Sequence, residues 1–164
     1  MSVRLPRKFG VLIDTNLTIL LCVGLSGTRN IGKHKRLADY DERDFHLLTE
    51  LLGDEPKLVF SPYVLGETSN LLRQAANPLK TQLAIVLRRM ILRTDEIQVS
   101  CTRIVDDSRY VDLGMTDAAL LSVLDAHPKL ALVTADAKLH LAALARGHST
   151  LNFAHIQNQR PDFQ

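Results

Sequence analysis

The chain has 164 residues, of which 46% are apolar and 23% charged, a composition typical of one soluble globular domain. A formal net charge of +2 is too small to indicate nucleic-acid binding by bulk charge. The two cysteines, Cys22 and Cys101, lack ligand-like spacing, which argues against zinc and predicts free thiols in a reducing compartment. No run of about 18 apolar residues is present, so neither a membrane span nor a signal peptide is predicted. We expect one cytoplasmic domain over residues 1–164.

The first third of the chain predicts two buried strands separated by helices. Residues 11–13 and 57–60 are short apolar runs typical of parallel strands. Residues 17–23 are apolar and predicted helical, and 44–52 form an amphipathic helix. Between these helices, segment 24–41 is rich in glycine and basic residues and is predicted to be a loop or an insertion.

Two helices are predicted after the second strand. Ser61 followed by Pro62 combines a capping hydroxyl with proline at the first helical position, which starts a helix over 62–76. Asn77 and Pro78 end it, and a second helix follows over 78–93. The apolar faces of these helices predict either core packing or a homodimer interface.

The remaining elements continue the alternation of strands and helices. A helix over 117–126 is predicted to be capped by Thr116, and Gly147 ends the helix at 136–146. The tail 157–164 is polar and is expected to fray. The other predicted elements are strands at 97–101, 130–133 and 149–153 and a short helix at 103–111. This order predicts a three-layer α/β/α domain with a mainly parallel central sheet.

Four acidic residues, Asp14, Glu67, Asp117 and Asp136, lie after strands or near the starts of helices. In a parallel sheet, ligands bind beyond the carboxyl ends of the strands, so these carboxylates are expected at one edge. An unpaired carboxylate at such a place is costly unless a cation compensates it. Asn70 shares a helical face with Glu67 and is expected to support it. Four converging carboxylates predict a divalent cation and chemistry on phosphate.

Each acid also has a purely structural interpretation. Asp117 and Asp136 suit helix N-termini, where a carboxylate is favoured by the backbone dipole and by free N–H groups. For either residue alone, capping is the better interpretation. Glu67 fits an exposed helical glutamate equally well, whereas Asp14 directly follows a core strand. The four together indicate a site more strongly than any one of them.

The ordered motifs resemble those of PIN-domain nucleases over residues 10–153. The matching segments are Ile13-Asp14-Thr15-Asn16, Glu67, Gly114-Met115-Thr116-Asp117-Ala118 and Val133-Thr134-Ala135-Asp136-Ala137-Lys138-Leu139. The resemblance implies an endoribonuclease in which the four acids bind Mg²⁺ or Mn²⁺, with Asn16, Thr116 and Thr134 as supporting polar groups. It also implies a possible homodimer and an antitoxin protein as partner. Segment 24–41 is longer than in compact toxins, which leaves a housekeeping or defence nuclease open.

Basic residues are the candidates for contacts with the RNA backbone. Such contacts fix position and give salt sensitivity rather than sequence choice. For any one of them, a solvated surface charge is an equally good interpretation. The candidates are Arg29, Lys33, Lys35, Arg36, Arg73 and Lys138.

Two other functions fit the same motifs. In an aspartyl-nucleophile phosphatase, Asp14 would carry the phosphoryl group, although position 16 is Asn where such enzymes usually place a second Asp. In a non-catalytic nucleic-acid or protein binding module, the acids would bind no metal. Both alternatives stay open on the sequence alone.

Overall fold

A computed structural model describes residues 10–160, and residues 1–9 and 161–164 lie outside the described part. The predicted α/β class is confirmed, with a parallel sheet flanked by helices. The strands are β1 (Val11–Ile13), β2 (Val59–Phe60), β3 (Asp95–Glu96), β4 (Ala131–Thr134) and β5 (Ser149–Asn152). The helices are α1 (Thr15–Ser26), α2 (Glu42–Leu52), α3 (Pro62–Leu72), α4 (Leu79–Ile91), α5 (Cys101–Asp106), α6 (Tyr110–Ala126), α7 (Ala137–Ala145) and α8 (Phe153–Asn158).

The strands run in one direction, so their carboxyl ends meet at one edge. Strand β4 is central in the three-stranded sheet, pairing in parallel with β1 on one side and β5 on the other. Strands β2 and β3 form a second parallel pair, and a bridge from Val11 to Leu58 joins it to β1. Every residue of β1, β2 and β4 is buried, as expected for strands covered on both faces.

Helix α1 is the centre of one helical layer. It packs against α2, α3 and α4, and most of its residues are buried, including the polar Thr15 and Thr18. A helix that is apolar nearly all round can be stable only when neighbours cover every face. The position of Asp14 at its first turn is therefore fixed by the core.

Gly24 allows α1 and α2 to approach closely. A Cβ atom placed there would lie 2.0 Å from Cδ2 of Phe45, whose side chain is only 8% exposed. We expect Gly24→Ala to lower the free energy of unfolding by about 2 kcal/mol, because overpacking outweighs the better helix propensity of alanine. Urea denaturation measures this change.

Gly66→Ala on α3 is the matched control for Gly24→Ala. A Cβ at Gly66 would contact nothing within 4 Å. The control should therefore raise stability by up to about 1 kcal/mol. Equal effects of the two substitutions would contradict close packing at Gly24.

Segment 24–41 is ordered structure rather than the predicted loop. It continues the end of α1 and then forms two 3₁₀ helices, Thr28–Lys33 and Lys35–Leu37. Ile31 and Leu37 are buried in the core beside α1. The sequence prediction was wrong here because two widely spaced apolar residues anchor the segment without any helical periodicity.

The chain end is also better ordered than predicted. Helix α8 includes Gln157, whose Nε2 atom donates to Oδ2 of Asp44 and to the carbonyl of Asp39, both at 3.0 Å. Arg160 forms ion pairs with Asp44 at 3.0 Å and with Asp41 at 3.2 Å. The predicted fraying was therefore wrong for residues 157–160, and residues 161–164 lie outside the described part.

Several element boundaries differ from the sequence prediction, among them those of α5, which spans Cys101–Asp106 instead of 103–111. Helix α3 ends at Leu72 instead of residue 76. The third strand is Asp95–Glu96 rather than 97–101, because Ser100 caps α5 and turns the chain away. Helix α6 begins at Tyr110 and is interrupted at Gly114, whose φ of +76° is favourable for glycine alone. The predicted helix start capped by Thr116 was therefore wrong, since Thr116 lies inside the stretch that follows this break.

A charged cluster joins the ends of three helices. Arg146, after α7, makes two bonds of 2.8 and 2.9 Å to Asp107 and one of 2.6 Å to Asp125. His148 lies 2.6 Å from the other oxygen of Asp125. Because Asp107 precedes α6 and Asp125 lies in its last turn, the cluster fixes both ends of the helix that carries Asp117.

Most of the apolar face predicted for a dimer belongs to the core. On α4, Leu83, Leu87 and Met90 are buried within the protomer, while Ile85 and Ile91 stay exposed. Homodimer formation through this face remains a prediction.

Among residues 10–160, no helix is long and apolar enough to cross a membrane.

Candidate metal centre

Two of the four acids are positioned by adjacent strands. Asp14 directly follows β1 and caps α1, and Asp136 follows β4 and caps α7. The backbone N–H of Asp14 donates to the carbonyl of Val133 at 3.3 Å, so the β1–β4 ladder continues to the site. Parallel pairing of these strands therefore brings the two carboxylates to the same edge.

The carboxylate of Asp14 is buried and held by three donors. Its Oδ2 accepts from the Thr134 hydroxyl at 2.5 Å and from the Ala135 N–H at 2.7 Å, while Oδ1 accepts from the Leu17 N–H at 2.9 Å. Only 3% of the residue is exposed. Burial raises the pKa of Asp14, and the three hydrogen bonds oppose this rise without cancelling it.

Thr134 links Asp14 to Asp136. Its hydroxyl donates to Asp14 and accepts from the Asp136 N–H at 3.0 Å. The Oδ1 atom of Asp136 accepts from the Leu139 N–H at 2.8 Å, so the capping interpretation of this acid is confirmed. Its Oδ2 atom has no hydrogen bond to residues 10–160, which leaves that oxygen free to bind a ligand.

Glu67 is held by a residue that the sequence analysis did not single out. The hydroxyl of Thr15 donates to Oε2 of Glu67 at 2.7 Å and thereby joins the first turn of α1 to α3. Asn70, expected to support Glu67, is exposed and forms no hydrogen bond to it. The only sequence signal for Thr15 was its position directly after Asp14.

Asp117 is within the electrostatic field of the other three acids. It is half-buried on α6, just beyond the break at Gly114. Burial, followed by the negative charges of Asp14, Asp136 and Glu67 in that order, raises the pKa of Asp117 to about 7. Asp117 is therefore near enough to each of the other three carboxylates to be repelled by it.

No positive side chain in the described part of the chain compensates this repulsion. Within residues 10–160, none of the four acids forms an ion pair with lysine, arginine or histidine. In the same part of the chain, no group of three or more His, Cys, Asp or Glu side chains is arranged so that it could hold a metal ion. The donor set nevertheless fits a hard divalent cation, because all four side chains offer carboxylate oxygens and together carry uncompensated charge.

The remaining predicted site residues surround this centre less closely. Asn16 and Thr116 are half-buried and form no side-chain hydrogen bond with the described acids. The six basic candidates for RNA contacts are all exposed, and none is paired with an acid of the centre. They are Arg29, Lys33, Lys35, Arg36, Arg73 and Lys138.

Neither a protein-family model nor a curated protein matches the sequence. The geometry and charge of the centre are therefore the grounds for a function. Its two decisive features are the rigid support of Asp14 and Glu67 by hydroxyl groups and the mutual repulsion felt by Asp117.

Proposed function

We propose that the protein is a metal-dependent endoribonuclease. The observation that carries this proposal is that Asp14 and Asp136 follow the paired strands β1 and β4 and are linked by Thr134, while Thr15 joins Glu67 to the same edge. No basic side chain of residues 10–160 forms an ion pair with these acids, and the raised pKa of Asp117 supports their proximity. Such a cluster is unfavourable for the folded protein alone and becomes favourable once a divalent cation binds. Perturbed acids grouped at the carboxyl edge of a parallel sheet are typical of functional sites.

Asp14, Glu67, Asp117 and Asp136 would hold one or two Mg²⁺ or Mn²⁺ ions. A bound ion of this kind activates water and offsets the charge that develops on a phosphodiester during hydrolysis. Two of the four carboxylates are held in place by hydrogen bonds, because the Thr134 hydroxyl orients Asp14 and the Thr15 hydroxyl orients Glu67. Hydrogen bonds to ligating carboxylates reduce the motion that ligand binding has to freeze.

The exposed basic residues support RNA as the substrate. Phosphate contacts from such side chains give affinity that falls with increasing salt and carries no sequence preference. Water, rather than the ribose 2′-hydroxyl, is expected to attack, and the products would then carry 5′-phosphate and 3′-hydroxyl ends. Toxin activity, an antitoxin partner and a homodimer are further proposals consistent with this function.

The phosphatase alternative is less well supported. Position 16 is Asn, so the second Asp typical of such phosphatases is missing. Cleavage of RNA distinguishes a nuclease from a non-catalytic binding module.

Cleavage of a mixed-sequence single-stranded RNA tests the proposed function. We expect cleavage with Mg²⁺ or Mn²⁺, none with excess EDTA, and products that a 5′-phosphate-dependent exonuclease degrades. RNA with a 2′-O-methyl group at the cut site should still be cleaved, because the 2′-hydroxyl is not the attacking group. Cyclic phosphate ends would contradict the proposed chemistry, and hydrolysis of small aryl phosphates with no cleavage of RNA would favour the phosphatase.

A further inference from the structure

Tyr40 lies at the same sheet edge as the acids. Its ring packs against Phe153, with the two ring centroids 6.3 Å apart. Phe153 directly follows β5, whose last residue, Asn152, pairs with Thr134 of β4. The negative charge of Asp14 also acts on the Tyr40 hydroxyl group. Tyr40 therefore borders the centre from the side of the second 3₁₀ helix.

The hydroxyl group of Tyr40 is available to a ligand. It forms no hydrogen bond with residues 10–160. The Tyr40 oxygen is also absent from the buried atoms without a partner in that range, so it is not fully buried. A half-buried ring thus ends in a hydroxyl that solvent can reach. Burial, followed by the charges of Asp14, Asp44 and Asp39, raises the pKa of Tyr40, so the group stays a neutral donor.

The backbone on both sides of Tyr40 is anchored. The carbonyl of Asp39 accepts from Gln157 at 3.0 Å, and the N–H of Tyr40 donates to the carbonyl of Leu37 at 3.0 Å. Asp41 caps α2 in a reciprocal arrangement with Asp44. The hydroxyl is therefore held in place before any ligand arrives, which lowers the entropy lost on binding.

A neutral donor has a specific use beside four carboxylates. The phosphodiester of an RNA is itself an anion, and the four acids form no ion pair with a basic side chain of residues 10–160. We propose that the hydroxyl of Tyr40 donates a hydrogen bond to a non-bridging phosphate oxygen of RNA bound at the carboxylate cluster. This inference rests on the proposed nuclease function and makes segment 24–41 part of the substrate site.

Steady-state cleavage of a fluorescein-labelled single-stranded oligoribonucleotide with Mn²⁺ tests this contact. Tyr40→Phe removes only the hydroxyl, and we expect about a tenfold rise in KM with kcat within twofold of the wild type. Tyr63→Phe is the matched control, because the Tyr63 hydroxyl already donates to the carbonyl of Val99 at 2.9 Å. The control should leave KM unchanged. Thermal melting of both variants checks that the fold is intact.

A second variant separates the hydroxyl from the ring. Tyr40→Leu should raise KM no further than Tyr40→Phe does, if the hydroxyl makes the contact. A wild-type KM for Tyr40→Phe overturns the inference, and so does a large additional effect of Tyr40→Leu, which would assign the contact to base stacking on the ring. If the wild type cleaves no RNA with either metal, the proposed function fails and this inference fails with it.

Discussion

Asp117→Asn should make the metal-free protein more stable at pH 8 while abolishing RNA cleavage. The pKa of Asp117 is about 7 in the folded protein, against an ordinary value of 3.8. At pH 8 the residue is ionised in both states, and the folded state alone carries the repulsion from the other acids. Asparagine removes that charge, and we expect a gain of about 2 to 4 kcal/mol, the lower figure allowing for partial solvent screening.

The pH dependence of this gain follows from the two pKa values. Below pH about 4 the carboxyl is protonated in the folded and unfolded chain alike, so Asp117 contributes no penalty. Between pH about 4 and about 7 the unfolded chain releases its proton while the folded protein retains it, and stability falls as pH rises. Above pH about 7 the penalty is complete.

Urea denaturation in EDTA at pH 4, 6 and 8 measures this difference. Asp112→Asn is the matched control, because Asp112 is exposed on the same helix. The stability of the control should equal that of the wild type at each pH. In a parallel series at pH 8 with Mn²⁺ in place of EDTA, the metal should stabilise the wild type far more than Asp117→Asn. A variant that is no more stable than the wild type at pH 8 would show that Asp117 carries no such repulsion.

Asp14→Ala should destabilise the protein and also abolish cleavage, so the two acids differ in the sign of their effect on stability. Removing the Asp14 carboxylate leaves the buried donors of Leu17 and Thr134 and the half-buried donor of Ala135 unpaired, and it removes the cap of α1. Relief of the buried charge offsets part of this loss. We expect a net decrease of about 3 kcal/mol in the free energy of unfolding.

The loss of cleavage should be large for the same variant. We expect a decrease of at least about 100-fold in kcat/KM, because several kcal/mol of charge stabilisation depend on the cation that Asp14 would help to hold. Asp54→Ala, at an exposed position, is the control and should change neither property. Full activity in Asp14→Ala would remove Asp14 from the site, and unchanged stability would contradict the hydrogen bonds described for it.

The fold class could be predicted from the sequence because its signals are local. Apolar runs such as 130–133 have the length and composition of buried parallel strands, and Ser61 with Pro62 fixes the start of α3. Asp14 and Asp136 follow strands that pair directly, so their proximity follows from the general geometry of parallel sheets. Local spacing therefore predicted both the layers and the edge at which the acids lie.

The remaining features depend on contacts between residues distant in sequence. The contact of Thr15 with Glu67 spans 52 positions, and that of Gln157 with Asp44 spans 113. Neither residue type carries a local signal for such a partner. Segment 24–41 was mistaken for a loop because a few buried side chains, spaced without period, hold it. Tyr40 carries no local signal for a place near the centre either, because its ring contact with Phe153 joins distant parts of the chain.

The hydrogen bond from Thr134 to Asp14 joins positions 120 residues apart and has a consequence for biosynthesis. A nascent chain that has not yet emerged beyond residue 130 carries Asp14 and Glu67 but has neither the β4 partner of β1 nor Asp136. Binding of a cation at this centre would therefore have to wait until β4 and Asp136 have been synthesised and have left the ribosome. Any cleavage of RNA by the centre would begin only after that step, whatever the state of the preceding 130 residues.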